Sequence, residues 1–290
     1  MNDVREAIRR GEIKPNRKLG QNFLTDKKIA AQIVNAAELT PDDHVIEVGP
    51  GVCALTGSLC EQAGSVAAVE IDRRFAQTIG DATSRFDNFS LIIGDILDIS
   101  PDLLLPQDGG KNRTVKLVSN LPYYISTPFM TRLFEEFTFV RKAVLMMQTD
   151  VSRKLLANPS TPDYCMLTVL ARQYYALKKL FTVAPHAFVP QPNVESAVML
   201  LDARQTPLNE AAADRDMFFR AVRAAFTSRR KTLANSLLLA GLASARSEAE
   251  KAIAVAGIAA GARGESLEAG EYAALARVLT AMRRQRVNCT

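Results

Sequence analysis

The sequence contains few of the residues from which metal centres, disulfides and hydrolytic triads are built. Its four cysteines, Cys53, Cys60, Cys165 and Cys289, lie far apart and form no C-x-x-C pair, so neither a zinc site nor a disulfide framework is indicated. There are only two histidines, and neither lies beside a nucleophile motif, which argues against Ser/His or Cys/His hydrolysis. We therefore expect reduced thiols and no metal site.

Long apolar runs are also missing. None approaches the roughly 18 residues needed to cross a bilayer, and the N-terminus, basic but mixed with acidic residues, resembles neither a secretory signal nor a transit peptide. We expect a cytoplasmic protein without a membrane partner, and a monomer. The 290 residues, 48% of them hydrophobic, can fill an α/β core and a smaller second domain. The net charge of +5 points towards a polyanionic partner, although a mild basic excess is common.

Short β-type segments alternate with helical ones through the first two thirds of the chain. We predict strands at 44–48, 66–71, 89–93, 115–118 and 143–147, with helices such as 73–84 and 129–137 between several of them. This alternation is typical of a largely parallel, doubly wound α/β sheet. A last strand at 197–201 precedes a shift to Ala, Arg, Glu and Leu with helical spacing. We therefore predict an α/β domain with a basic arm at 1–205 and a helical domain at 206–290, with a helix break at Thr227 and Ser228.

Three strand ends indicate a cofactor that contains adenosine. Gly49-Pro50-Gly51 lies between a predicted strand and a helix, where glycine lets a ligand approach backbone N–H groups. Glu70 ends the second strand, where a carboxylate can accept hydrogen bonds from ribose hydroxyls. Asp95 follows the third strand and suits an adenine amino group. Gly49, Gly51 and Ala54 also satisfy a looser dinucleotide motif, so a dehydrogenase stays an alternative at this point.

The fourth strand ends in Asn120-Leu121-Pro122-Tyr123. Pro122 keeps Leu121 out of the helical region, so the Leu121 carbonyl is held in a fixed direction. This carbonyl and the Asn120 amide oxygen can accept the N–H groups of an adenine N6 and direct its lone pair at a methyl donor. Tyr123 offers a ring on which a flipped or single-stranded base can stack, which is worth about 1–3 kcal/mol. The alternative is a plain β-turn with Tyr123 in the core.

The sequence resembles the ribosomal RNA adenine N6,N6-dimethyltransferase family, which is related to the erythromycin-resistance methyltransferases. The resemblance covers about residues 18–237 and rests on GQNFL, VIEVGPG, AVEID, GDILDI, SNLPYYISTP, MMQTDVSRKLLA, VPQPNVESAVM and AFTSRRKTLANSL. It implies a Rossmann-like fold that binds S-adenosyl-L-methionine, followed by a helical RNA-binding domain. The N-L-P-Y, VPQPNVESAV and SRRKTL segments resemble the enzymes of the small subunit rather than those that act on large-subunit RNA.

The resemblance also implies roles for individual residues. The cofactor contacts would be Gln21, Asn22, Leu24, Gly49, Gly51, Glu70, Ile71, Asp95, Ile96 and Asn120. The catalytic set would be Asn120, Leu121, Pro122, Tyr123 and Phe188. Phe188 would clamp the base opposite Tyr123, although its own surroundings favour a core position. Cys53 stands where the family usually has Gly or Ala, and because cysteine is only modestly larger we expect cofactor binding to survive.

Basic residues are segregated in the helical part of the chain. Arg220, Arg223, Arg229, Arg230 and Lys231 occur without an intervening acid, a pattern typical of phosphate contact, although a solvated basic face is the alternative. The family resemblance implies rRNA contact for Arg229, Arg230 and Lys231. The expected function is dimethylation of N6 of two adjacent adenines near the 3′ end of small-subunit (16S) rRNA during ribosome biogenesis. The alternatives are a large-subunit rRNA methyltransferase that confers antibiotic resistance and an assembly factor with little activity.

Overall fold

The computed structural model describes residues 4–10, 13–16, 19–106, 113–205 and 215–287. These residues form two compact units. The first comprises the described residues up to Ser152 and Leu177–Ala203, and the second comprises Arg153–Ala176 and the described residues from Arg204 on. The boundary predicted between residues 205 and 206 adjoins residues outside the described ranges and stays a prediction. The segment Arg153–Ala176, which the sequence assigned to the α/β domain, belongs to the second unit because its helix packs against other helices there.

Nine strands are found among the described residues. They are β1 (Phe23–Leu24), β2 (Asp43–Val48), β3 (Ser65–Glu70), β4 (Phe89–Ile93), β5 (Thr114–Asn120), β6 (Val140–Gln148), β7 (Tyr175–Val183), β8 (Phe188–Val189) and β9 (Ser196–Ala203). Seven of them form one sheet in the order β4-β3-β2-β5-β6-β9-β7, and β1 and β8 form a separate antiparallel pair. The strands from β4 to β6 in this order are parallel, whereas β9 runs antiparallel to β6. The doubly wound α/β prediction is confirmed.

The helices of the described residues are α1 (Val4–Arg9), α2 (Lys27–Ala36), α3 (Thr56–Gln62), α4 (Ala76–Thr83), α5 (Ser126–Glu136), α6 (Thr149–Leu156), α7 (Met166–Tyr174), α8 (Arg215–Thr227), α9 (Leu233–Leu239), α10 (Arg246–Val255) and α11 (Ala269–Val287). The predicted break is confirmed, since α8 ends at Thr227 and α9 begins at Leu233. In the part of the chain that the structure describes, no helix has the length and hydropathy of a membrane span.

The interior of the α/β unit contains one face of helix α2 and a buried ion pair between two central strands. Helix α2 buries Ala30, Ile33 and Val34 on one face, at the spacing of an amphipathic helix. At the start of β2 and β5, Lys116 Nζ lies 2.9 Å from Asp43 Oδ2, and both side chains are buried. Because β2 and β5 are paired in parallel, the loops that follow both strands meet at one edge of the sheet. The chain order reverses beside β2, which is where α/β sheets bind ligands.

Candidate active site

A cleft of about 620 Å³ opens at the carboxyl edge of the sheet in the α/β unit. Its walls are residues 19–24, the glycine loop, the end of β3 and the residues that follow β5. A smaller cleft of about 240 Å³ lies beside it and includes Gly94. The two clefts share Gly49, Glu70, Ile71, Pro122 and Tyr124.

The structure brings most of the predicted site residues to these two clefts. The larger cleft is lined by Gln21, Asn22, Leu24, Gly49, Gly51, Glu70, Ile71, Asn120, Leu121 and Pro122. The smaller cleft adds Asp95 and Ile96. Tyr123 and Phe188 line neither of the two. Among the described residues, no three His, Cys, Asp or Glu side chains are grouped as metal ligands would be.

The glycine loop adopts a conformation that other residues rarely take. Gly49 has φ of 69° and Gly51 has φ of 51°, both in the left-handed region. A Cβ on Gly49 would lie 2.9 Å from Pro122 Cγ, and one on Gly51 would lie 3.2 Å from Phe23 Cε1. Glycine at these positions therefore lets Pro122 and Phe23 pack directly against the loop. Cys53, which departs from the family pattern, is buried and also has a positive φ of 61°.

Glu70 is held at the end of β3 by two backbone donors. The N–H of Gly51 donates to Oε2 at 3.0 Å, and the N–H of Asp72 donates to Oε1 at 2.9 Å. Burial raises the pKa of the Glu70 carboxyl, while these hydrogen bonds act in the opposite direction. Each carboxylate oxygen has a further lone pair. The carboxylate is thus oriented by the protein and can still accept hydrogen bonds from ribose hydroxyls.

Glu47 is a site residue that the sequence prediction missed. It lies within β2, lines the larger cleft and is only 2% exposed. Burial, with a further contribution from the charge of Glu70, raises its pKa to about 8. Its Oε2 atom has no hydrogen-bond partner among the described residues. A buried acid in the apolar run V-I-E-V-G was the available signal, because such a group needs a polar or cationic partner.

The residues after β5 are fixed by contacts with neighbouring segments. The N–H of Leu121 donates to the Met146 carbonyl at 3.0 Å, and Asn120 Nδ2 donates to the Asn22 carbonyl at 3.4 Å. The Tyr123 Oη lies 2.6 Å from Ser196 Oγ. The next residue, Tyr124, lines both clefts. Asn120 lines the larger cleft, and both its contact with a cofactor and the stacking of a base on Tyr123 stay predictions.

Phe188 lies in the core of the α/β unit. Its ring is 2% exposed and belongs to the same apolar cluster as Leu24 and Ile33. The short β1–β8 pair places Phe188 opposite Leu24 and turns the ring inwards. This is the core position that its sequence surroundings favoured. Its role as a base clamp stays a prediction.

The predicted RNA-binding residues lie in the helical unit and differ in their contacts. Arg229 donates from Nε to Glu265 Oε2 at 2.8 Å and from Nη1 to the Pro162 carbonyl at 2.9 Å. Arg220 Nη1 lies 3.7 Å from Asp216 Oδ2. Arg223, Arg230 and Lys231 are exposed to solvent. Arg229 is partly exposed but contacts the unit's own residues, whereas Arg230 and Lys231 are exposed and can reach a polyanion.

Comparisons with known proteins agree with this geometry. The model of a family described as "Ribosomal RNA adenine dimethylase" matches residues 13–280. The ribosomal RNA small subunit methyltransferase A of Pelotomaculum thermopropionicum is 42% identical over 94% of this chain and 94% of its own length. The protein of the same name from Clostridium acetobutylicum is 38% identical over 94% of this chain and 96% of its own length.

Two solved structures are also similar. The 23S rRNA methyltransferase ErmE superposes with a TM-score of 0.63 at 30% identity, over 89% of this chain and all of that one. A dimethyladenosine transferase from Plasmodium falciparum gives a TM-score of 0.68 at 22% identity, over 87% of this chain and 95% of that one. At that identity the second likeness shows the fold alone.

Proposed function

Because the chain belongs to the ribosomal RNA adenine dimethylase family, we propose that its substrate is the adenine N6 of small-subunit rRNA. The protein is an S-adenosyl-L-methionine-dependent methyltransferase. Its curated relatives, at 38% and 42% identity, are named for the small subunit. We propose two adjacent adenines near the 3′ end of 16S rRNA as the target, methylated by a monomer in the cytoplasm while the subunit is assembled.

The residues of the cleft fit S-adenosyl-L-methionine. Gly49 and Gly51 line the cleft without side chains, so the cofactor could approach the backbone of the loop, and Glu70 suits its ribose. Asp95 lines the smaller cleft, where its carboxylate would accept from the adenine amino group. The unpaired Oε2 of buried Glu47 would receive the ammonium group of the methionine part. When bound, the cofactor supplies an electrophilic methyl group.

Asn120 and Leu121 would prepare the base for transfer. The lone pair of adenine N6 is delocalised into the ring, so the nitrogen is a poor nucleophile. An Asn120 side-chain oxygen and a Leu121 carbonyl that accept its two N–H groups favour a more tetrahedral nitrogen with its lone pair localised. Pro122, with φ of −56°, holds this turn. Tyr123, with its hydroxyl fixed on Ser196, would support the ring of a flipped base.

The observation that carries this proposal is the position of Asn120 and Pro122 in one cleft with Gly49 and Glu70. The test is transfer of labelled methyl from S-adenosyl-L-methionine to immature small subunits that lack the modification, followed by nucleoside analysis. We expect dimethyladenosine from the wild type. An Asn120→Ala variant should lose at least about a hundredfold in rate while it still binds cofactor, since removal of one preorganised hydrogen-bonding group at the transition state costs about 10²–10³.

The likeness to the 23S rRNA methyltransferase ErmE supports a second candidate, an adenine methyltransferase of the large subunit. The same assay with large subunits separates the two. Dimethyladenosine in large-subunit RNA and none in small-subunit RNA would replace the first proposal by the second. Cofactor binding without transfer to either RNA would point to an assembly factor.

A further inference from the structure

One wall of the cofactor cleft is a segment that we call the strap, residues 19–24, all of which line the cleft. One end of the strap is held by the β1–β8 pair, in which Leu24 faces Phe188. Near its other end, the strap is held by the side chain of Gln21. Gln21 Nε2 donates to Asp72 Oδ2 at 2.9 Å, and Gln21 Oε1 accepts from the Asn16 N–H at 2.8 Å. Both polar ends of the Gln21 amide are therefore bound to the protein.

Asp72 connects this end of the strap to the ribose side of the cleft. Its own N–H donates to Glu70 Oε1, and its carboxylate is buried, with a side-chain exposure of 7%. Arg74 holds the carboxylate through Nε, 2.8 Å from Oδ1, and through Nη2, 2.6 Å from Oδ2. The hydrogen bonds from Arg74, with that from Gln21, lower the pKa of Asp72 to about 2. The acceptor for Gln21 is thus a fixed anion.

We propose that Gln21 and Asp72 form a latch that holds the strap over the bound cofactor, and that both are positioning residues. On this view Gln21 acts through Asp72 and makes no direct contact with the cofactor. Release of the spent cofactor requires the hydrogen bond between the two side chains to open. The inference rests on the proposed function, because it takes the cleft to be the S-adenosyl-L-methionine site.

The test measures the affinity and the dissociation rate of S-adenosylhomocysteine. Gln21→Met keeps the length of the side chain and removes the hydrogen bond to Asp72. We expect its Kd and dissociation rate to rise about tenfold, as for loss of a hydrogen bond to a charged group. The melting temperature should fall slightly, because the buried Asp72 carboxylate loses one of its donors. The kcat at saturating cofactor should change little, and a rise in dissociation rate without a change in kcat is not expected from a merely structural role. Gln77→Met, on the exposed face of α4, is the matched control.

A double-mutant cycle with Asp72→Ala separates the latch from direct binding. If the latch exists, Gln21→Met should add little to the loss that Asp72→Ala already causes. Asp72→Asn keeps an acceptor for Gln21 and should restore part of the affinity. Equal losses from Gln21→Met in both backgrounds would establish a direct contact and overturn the latch, as would an unchanged Kd. A wild type that binds no S-adenosylhomocysteine would instead contradict the proposed function.

Discussion

Glu47 shows how a single buried group can connect folding to cofactor binding. A carboxyl with a pKa raised to about 8 is mostly protonated at neutral pH in the free protein. The ammonium of S-adenosyl-L-methionine would favour the ionised form, so binding should release a proton. The residue was not predicted because an acid inside a strand has no short motif of its own. Its importance depends on the orphaned oxygen and on the cleft beside it, which only the fold reveals.

This leads to a prediction for the stability of the cofactor-free protein. A carboxyl whose pKa is higher in the folded state contributes stability below its unfolded value of 4.5, and this contribution is lost as the pH rises through about 8. The free energy of unfolding of the wild type should therefore fall from pH 5 to pH 9 relative to Glu47→Gln, which stays neutral. A tenfold difference in proton affinity between the folded and unfolded states corresponds to about 1.4 kcal/mol, so the two proteins should come to differ by a few kcal/mol.

The measurement is thermal or urea unfolding of both proteins across this pH range, with S-adenosyl-L-methionine titrations in parallel. The affinity of the wild type should increase with pH up to about 8, and that of Glu47→Gln should be weaker and less dependent on pH. Parallel stability curves for the two proteins would show that Glu47 does not titrate differently in the folded and unfolded states.

At the scale of elements, much of the sheet could be predicted and several helices could not. The strands β2 to β5 have apolar runs that end at glycine, acid or asparagine, and their carboxyl ends line the two clefts. The helix α7 and the strand β7 follow each other without a turn residue between Tyr174 and Tyr175, so no local signal separates them. The sequence around Phe188 favoured a core position, but the pairing of β8 with β1, which lies far earlier in the chain, has no local pattern that encodes it.

Arg132 connects helix α5 to the turn after β4 and so supports the smaller cleft. Its guanidinium donates to the Ile96 carbonyl, and through Nη2 to the Ile99 carbonyl at 2.7 Å. It thereby ties α5, which follows the Asn120 loop, to the turn that carries Asp95. Its side chain is 13% exposed and also contacts Glu136. The smaller cleft, where we propose that the adenine of the cofactor binds, therefore depends on a residue that lines neither cleft.

We expect Arg132→Met to destabilise the protein by about 1–3 kcal/mol, because two partly buried carbonyls lose charged donors. Cofactor affinity should fall as well, since the turn that bears Asp95 loses its support. Arg132→Lys should show a smaller loss, and the exposed Arg141→Met is the matched control. Thermal unfolding and calorimetric titration check both effects. An Arg132→Met protein as stable as the control would show that the turn bearing Asp95 keeps its conformation without Arg132.

At the scale of the whole molecule, the chain divides its chemistry between the two units. The residues that line the clefts all belong to the α/β unit, and the segregated cations predicted to bind RNA belong to the helical unit. The net charge of +5 is therefore less informative than its distribution. Composition indicated this division, but it could not show which cations make contacts within the protein. Arg229 and Arg230 are neighbours in sequence, and only their surroundings in the fold distinguish them.

The last prediction concerns the different surroundings of Arg229 and Arg230. Arg230→Glu with Lys231→Glu should weaken RNA binding, and the slope of log affinity against log salt should become less steep by about 0.7–0.9 for each phosphate that the protein no longer neutralises. Stability and cofactor affinity should stay unchanged.

Arg229→Met should instead lower the free energy of unfolding by about 1 kcal/mol, because Glu265 and the Pro162 carbonyl lose a partly exposed partner. Filter binding at several salt concentrations and thermal unfolding give both quantities. If Arg229→Met were as stable as the wild type and changed the salt slope like the double variant, Arg229 would be an RNA contact. The contrast between Arg229, which contacts the protein, and Arg230 and Lys231 would then be wrong.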